Sequence, residues 1–156
     1  MSDNKIHNMW AIPIGEFYNP EHKEFKNDLI NFFKEYENSF PEGNLDRASK
    51  GSIENHNLYE SKYNLHQQKN PAFDKLLRFI SQGFITMSNN SNKKIIEGMK
   101  EKPKFNVEIT ESWFIKYNKG GSVFPHNHGG SWSCVYYVQI GKDSSTKNGS
   151  TYFLRP

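Results

Sequence analysis

A single cysteine, Cys134, is all the thiol chemistry this 156-residue chain carries. That excludes an internal disulfide framework and fits a reducing compartment. Long apolar runs are missing too. The opening MSDNKIHNMW has no apolar stretch of the kind that directs secretion, and no later segment approaches the length of a membrane span. Without a secretion signal, the Asn-x-Ser triplets at Asn89 and Asn148 carry no weight as glycosylation sites. Nor does one sign of charge dominate. Twenty basic residues against 17 acidic ones give a net charge of +3, dispersed rather than gathered into a stripe, so the footprint of a nucleic-acid binder is absent. These absences lead to the expectation of one cytoplasmic domain with neither a membrane nor a nucleic acid as partner.

Aromatic residues are plentiful. Twelve Phe, eight Tyr and three Trp make up 15% of the chain and can fill a core in an otherwise polar sequence. Their spacing sets the elements. Met9 to Phe17 reads as a short edge strand interrupted by Pro13. Asn19 and Pro20 then open a helix as cap and first residue, and Phe25, Leu29, Phe32, Phe33, Tyr36 and Phe40 form its apolar face. Pro41 and Gly43 end it. Residues 44–70 are a polar excursion with at most one short strand. Asn70 and Pro71 repeat the start signal, and Phe73, Leu76, Leu77, Ile80 and Phe84 line a second helix. The run Ser88 to Lys94 either breaks that helix or lies on its solvated face.

From Lys104 the period drops to two. Phe105, Val107 and Ile109, then Trp113, Ile115 and Tyr117, alternate with polar residues. A turn over Asn118 to Gly121 follows, then a strand from Ser133 to Ile140, a loop from Gly141 to Gly149 and a last strand, STYFL. Helices first and strands second predict an α+β domain with helices on one side of an antiparallel sheet.

Between turn and strand lies GGSVFPHNHGG. Residues two apart in extended chain point the same way, so His126 and His128 can reach one metal ion. Imidazole suits Fe(II), Zn, Cu or Ni and does not choose among them. Gly120, Gly121, Gly129 and Gly130 would clear the approach. Taken alone, the pair reads equally as two polar residues of an exposed loop.

The surrounding stretch adds a resemblance. TESWFIKYNKGGSVFPHNHGGSWSCVYYVQI, Thr110 to Ile140, resembles the 2-oxoglutarate and Fe(II)-dependent oxygenases, and most nearly a prolyl-hydroxylase-like subfamily frequent in phages and marine bacteria. The pattern W-x(3)-Y-x-K-G, then H-x-H, then S-G-V-Y-Y-V is met by Trp113, Tyr117, Lys119, Gly120, His126, His128, Ser133 and Val135 to Val138. Cys134 stands where glycine is usual. The resemblance implies a double-stranded β-helix, or jelly roll, with residues 1–103 as helical support and 104–156 as the first part of the core. It implies Fe(II) held by His126 and His128, with O2 and the cosubstrate 2-oxoglutarate, whose carboxylates the hydroxyls of Tyr117 and Tyr137 would meet. The activity implied is hydroxylation coupled to decarboxylation of 2-oxoglutarate. Both tyrosines read equally as core residues with satisfied hydroxyls, and Trp113, Tyr136, Val138 and Cys134 read as buried packing.

The match has gaps. The wider superfamily carries Asp where this chain has His128. A distal histidine and a basic residue for the far carboxylate are expected several strands later, and the chain reaches Pro156 before either. A fragment of a longer protein, a homo-oligomer that completes the site, or a degenerate relative would each account for this; the first is the expectation. His56 and His66 are the histidines a rearranged site could recruit, although their polar surroundings favour solvent. A cupin-like metal protein is an alternative, since Gly120 followed by five residues and H-x-H opens that signature, but Trp132 and Ser133 stand where it needs Glu. A non-enzymatic phage binding module is another. The substrate, whether peptidyl side chain, nucleobase or metabolite, is not written in these residues.

Overall fold

The computed structural model describes residues 12–44, 57–145 and 149–153. Helices and a two-stranded antiparallel sheet give an α+β arrangement. In chain order they are α1 (His22–Ser39), β1 (Leu58–Glu60), a 3₁₀ turn at Leu65–Gln67, α2 (Pro71–Ser91), α3 (Lys93–Glu97) and β2 (Ile115–Tyr117). No helix among the described residues is long and apolar enough to cross a membrane.

Both helix starts follow the sequence, one of them shifted. Asn70 caps α2 as expected: its side-chain oxygen accepts the amides of Ala72 and Phe73, each at 3.0 Å, with Pro71 at the first position. Asn19 instead builds a turn before α1. Its side chain accepts the Glu21 amide and its carbonyl accepts that of His22, so the helix starts at His22. Phe40 closes α1 as its C-cap. Gly43 then takes φ of +58°, and a Cβ there would lie 2.3 Å from the Glu60 carbonyl oxygen. Left-handed backbone and close approach both require glycine at this position. The Ser88–Lys94 run does both things its composition allows, with α2 continuing to Ser91 and a break at Asn92 before α3.

The core lies where α1, α2 and the sheet meet. Phe25, Leu29 and Tyr36 from α1, Ala72, Phe73 and Leu76 from α2, and Leu65 and Phe114 are its buried members. Phe33 stacks on Phe114 with ring centroids 4.5 Å apart. The ladder pairs Leu58 with Tyr117, Tyr59 with Lys116 and Glu60 with Ile115. It extends beyond the strands, because Ser61 N donates to Phe114 O at 3.0 Å and Asn118 N to Asn57 O at 3.0 Å. Lys116 also forms an ion pair with Glu37 of α1.

Four expected strands are absent from the described residues. Residues 12–17, 105–109, 133–140 and 150–153 belong to no helix or strand. The alternation is nonetheless real: Phe105, Val107 and Ile109 are half-buried between exposed neighbours, and Tyr136 and Val138 pack on the core while Val135 and Tyr137 are exposed. Period two fixes which side chains turn inward, but a strand also needs a backbone partner. The residues of the expected strand before Ile12 lie outside the described ones.

Candidate metal centre

The segment that holds the histidines leaves the sheet through the expected turn. Gly121 N donates to Asn118 O at 2.9 Å, and the Asn57 side chain donates to the Lys119 carbonyl at 2.7 Å. Gly120 and Gly130 adopt φ of +81° and +93°, which accounts for glycine there, whereas a Cβ at Gly120, Gly129 or Gly130 would meet nothing within 4 Å. Conformation, rather than clearance, explains Gly120 and Gly130, and the space beside all three is open.

The structure brings His126 and His128 together. Their Nε2 atoms lie 3.1 Å apart and their ring centroids 4.7 Å apart, with both side chains exposed. His126 Nδ1 is 2.7 Å from the carbonyl oxygen of Phe124. A carbonyl oxygen can only accept, so Nδ1 carries the proton and Nε2 of the neutral ring presents a lone pair. The contact between the rings is then either an N–H···N bond donated by His128 or the span of one shared cation. At an imidazole–metal bond of about 2.1 Å, nitrogens 3.1 Å apart subtend about 95° at the ion, close to the cis angle of an octahedron. A carbonyl that fixes the distal nitrogen is also how metal-bound imidazoles are ordinarily oriented. The pair therefore fits a metal by spacing, and His126 fits by tautomer as well. No group of three or more metal-ligating side chains occurs among the described residues, so the pair supplies two ligands there and no more.

Three contacts fasten the irregular segment to the body of the protein. The His128 ring lies 5.3 Å from that of Trp113, tilted 47°. Trp132 Nε1 donates to Ser88 Oγ of α2 at 3.0 Å. The Tyr136 hydroxyl and His22 Nδ1 of α1 share a hydrogen bond of 2.8 Å. Burial pushes the Tyr136 hydroxyl above its ordinary value, partly offset by a hydrogen bond from Asn19.

The two tyrosines of the expected cosubstrate site are both exposed. Tyr117 ends β2 opposite Leu58, and the Tyr137 hydroxyl is hydrogen-bonded to Thr151. Neither is core, so the packing alternative does not describe them. Cys134, expected to be buried, is exposed; protein crowding the sulfur still raises its thiol above the ordinary value, which disfavours a reactive thiolate. His66 bonds Ser112 Oγ at 3.3 Å and, with Lys62 and Glu111, lines an open groove of about 880 Å³ at the C-terminal end of α1. None of His126, His128, Tyr117 and Tyr137 lines that groove. His56 lies outside the described residues. The Phe124 carbonyl and the Trp113 ring contact were not foreseen, because a backbone acceptor has no sequence signature and Trp113 reads as packing.

No family model, no curated protein and no solved structure matches this chain.

Proposed function

We propose that the chain is a 2-oxoglutarate and Fe(II)-dependent dioxygenase, in which His126 and His128 are two of the iron ligands. The observation that carries this reading is the convergence of the two Nε2 atoms at 3.1 Å, with His126 held in its Nδ1–H form by the Phe124 carbonyl. The sequence pattern running from Trp113 to Val138 supports it. Residues 104–156 would form the first part of a double-stranded β-helix, with α1 and α2 as its support. Bound iron supplies a chelation point for 2-oxoglutarate and activates O2 for substrate hydroxylation.

The chain's own part is to bind and to orient. His126 can donate its Nε2 lone pair without changing tautomer, whereas His128, where it donates Nε2–H to His126, must carry that proton on Nδ1 instead before its Nε2 can ligate. Tyr137 can offer its hydroxyl to a cosubstrate carboxylate by releasing Thr151, and Tyr117 at the end of β2 is exposed to do the same. His128 in place of the superfamily's Asp makes the ligand set more neutral, so a further ligand from outside the described residues is part of the proposal.

Anaerobic titration with Fe(II), with and without 2-oxoglutarate, tests the reading. The parent should develop the iron-to-cosubstrate charge-transfer band, and His126→Ala should not. Metal binding indifferent to 2-oxoglutarate would point to a cupin-like metal protein, and no metal binding would reject an enzyme of this class.

A further inference from the structure

We infer that Trp113 is a positioning residue for the proposed metal centre, fixing the His128 imidazole through contact with its indole ring as the Phe124 carbonyl fixes His126. The inference rests on reading the histidine pair as a metal site. The two rings are held in different ways. His126 has its carbonyl partner at 2.7 Å, while the His128 ring lies 5.3 Å from the Trp113 ring at a 47° tilt. His128 sits in irregular, exposed backbone followed by two glycines.

Trp113 has that support. Its neighbour Ser112 donates its amide to Tyr63 O at 2.8 Å and accepts the Leu65 amide at 3.0 Å. On the other side the buried Phe114 donates its amide to Ser61 Oγ at 3.0 Å. The indole rests on Tyr63, ring centroids 4.7 Å apart. A row of rings, Tyr63, Trp113, His128 and His126, thus runs from the edge of the sheet to the paired nitrogens.

The test uses Co(II) alone as the probe, with Trp113→Leu, which keeps bulk without a ring, and Trp113→Phe, which keeps a ring. A far-UV spectrum like the parent's qualifies each variant for comparison. Trp113→Leu should bind Co(II) about 10- to 100-fold more weakly, the range typical for loss of a ligand-orienting partner, while Trp113→Phe stays near the parent. In the metal-free proteins, the His128 C–H resonances should lose their indole ring-current shift in Trp113→Leu. Unchanged affinity in Trp113→Leu, or unchanged His128 resonances, would overturn the role of Trp113 while leaving the metal site standing. A parent that binds no Co(II) would overturn the metal reading itself, and this inference with it.

Discussion

A carbonyl oxygen 2.7 Å from Nδ1 of His126 leaves Nε2 as the basic nitrogen of the neutral ring. Two residue-level outcomes follow from the pair. His128→Ala should weaken Fe(II) binding by more than about 10-fold, on the scale known for disturbing metal-ligating imidazoles, whereas His128→Asp should retain it because a carboxylate is an equally good iron ligand. Calorimetric titration under nitrogen compares the two. Away from the centre, burial, helped by the nearby charges of Tyr36 and Glu37, pushes the Tyr59 hydroxyl up to about 12. The unfolded tyrosine ionises near 10, so folding favours the neutral form. The stability this contributes is complete below pH 10 and is lost as pH rises from 10 through 12. Urea unfolding at stepped pH should show that loss in the parent and a shallower one in Tyr59→Phe, even though the variant also lacks the 2.8 Å bond to the Phe40 carbonyl.

Elements with local causes were legible in the sequence. The α2 start was, because Asn70 and Pro71 act on their immediate neighbours, and the cap bonds to Ala72 and Phe73 are in place. Asn70→Ala should therefore cost about 1 kcal/mol of stability, seen as a lower urea midpoint at unchanged slope. The turn at Asn118–Gly121 was legible for the same local reason. Of the strands, the one read through Trp113, Ile115 and Tyr117 is present as β2, but the others were not legible. Phe105 to Ile109 and Ser133 to Ile140 show the alternation of burial their sequences predict, yet no ladder forms on them. A ladder depends on a partner at long sequence separation, and the chain's own pattern does not say which segment that is. Within the site, the H-x-H spacing revealed that two imidazoles share a side. It could not reveal the Phe124 carbonyl or the indole beside His128.

At the scale of the molecule, the buried core and the proposed site occupy different parts. The buried residues gather between α1, α2 and the β1–β2 sheet, while the segment from Ser122 to Ile140 exposes Phe124, Val135 and Ile140. Leu29, with no solvent exposure, sits in the first part, and Leu29→Ala should cost about 2–5 kcal/mol, measured as unfolding of the whole domain in urea. Hydrogen exchange should separate the two parts as well. Amides of α1 and α2 should open only with global unfolding, and those of residues 122–135 far sooner, since few buried contacts hold them. Adding metal should slow the second group and leave the first unchanged.

The most direct test of the central claim is the X-ray absorption fine structure of the iron-loaded protein. Two imidazole nitrogens per iron at about 2.1 Å are predicted for the parent, with one remaining in His128→Asp and no protein-bound shell in His126→Ala. An iron shell without imidazole scattering, or one that neither substitution alters, would contradict the assignment of this pair as the metal ligands.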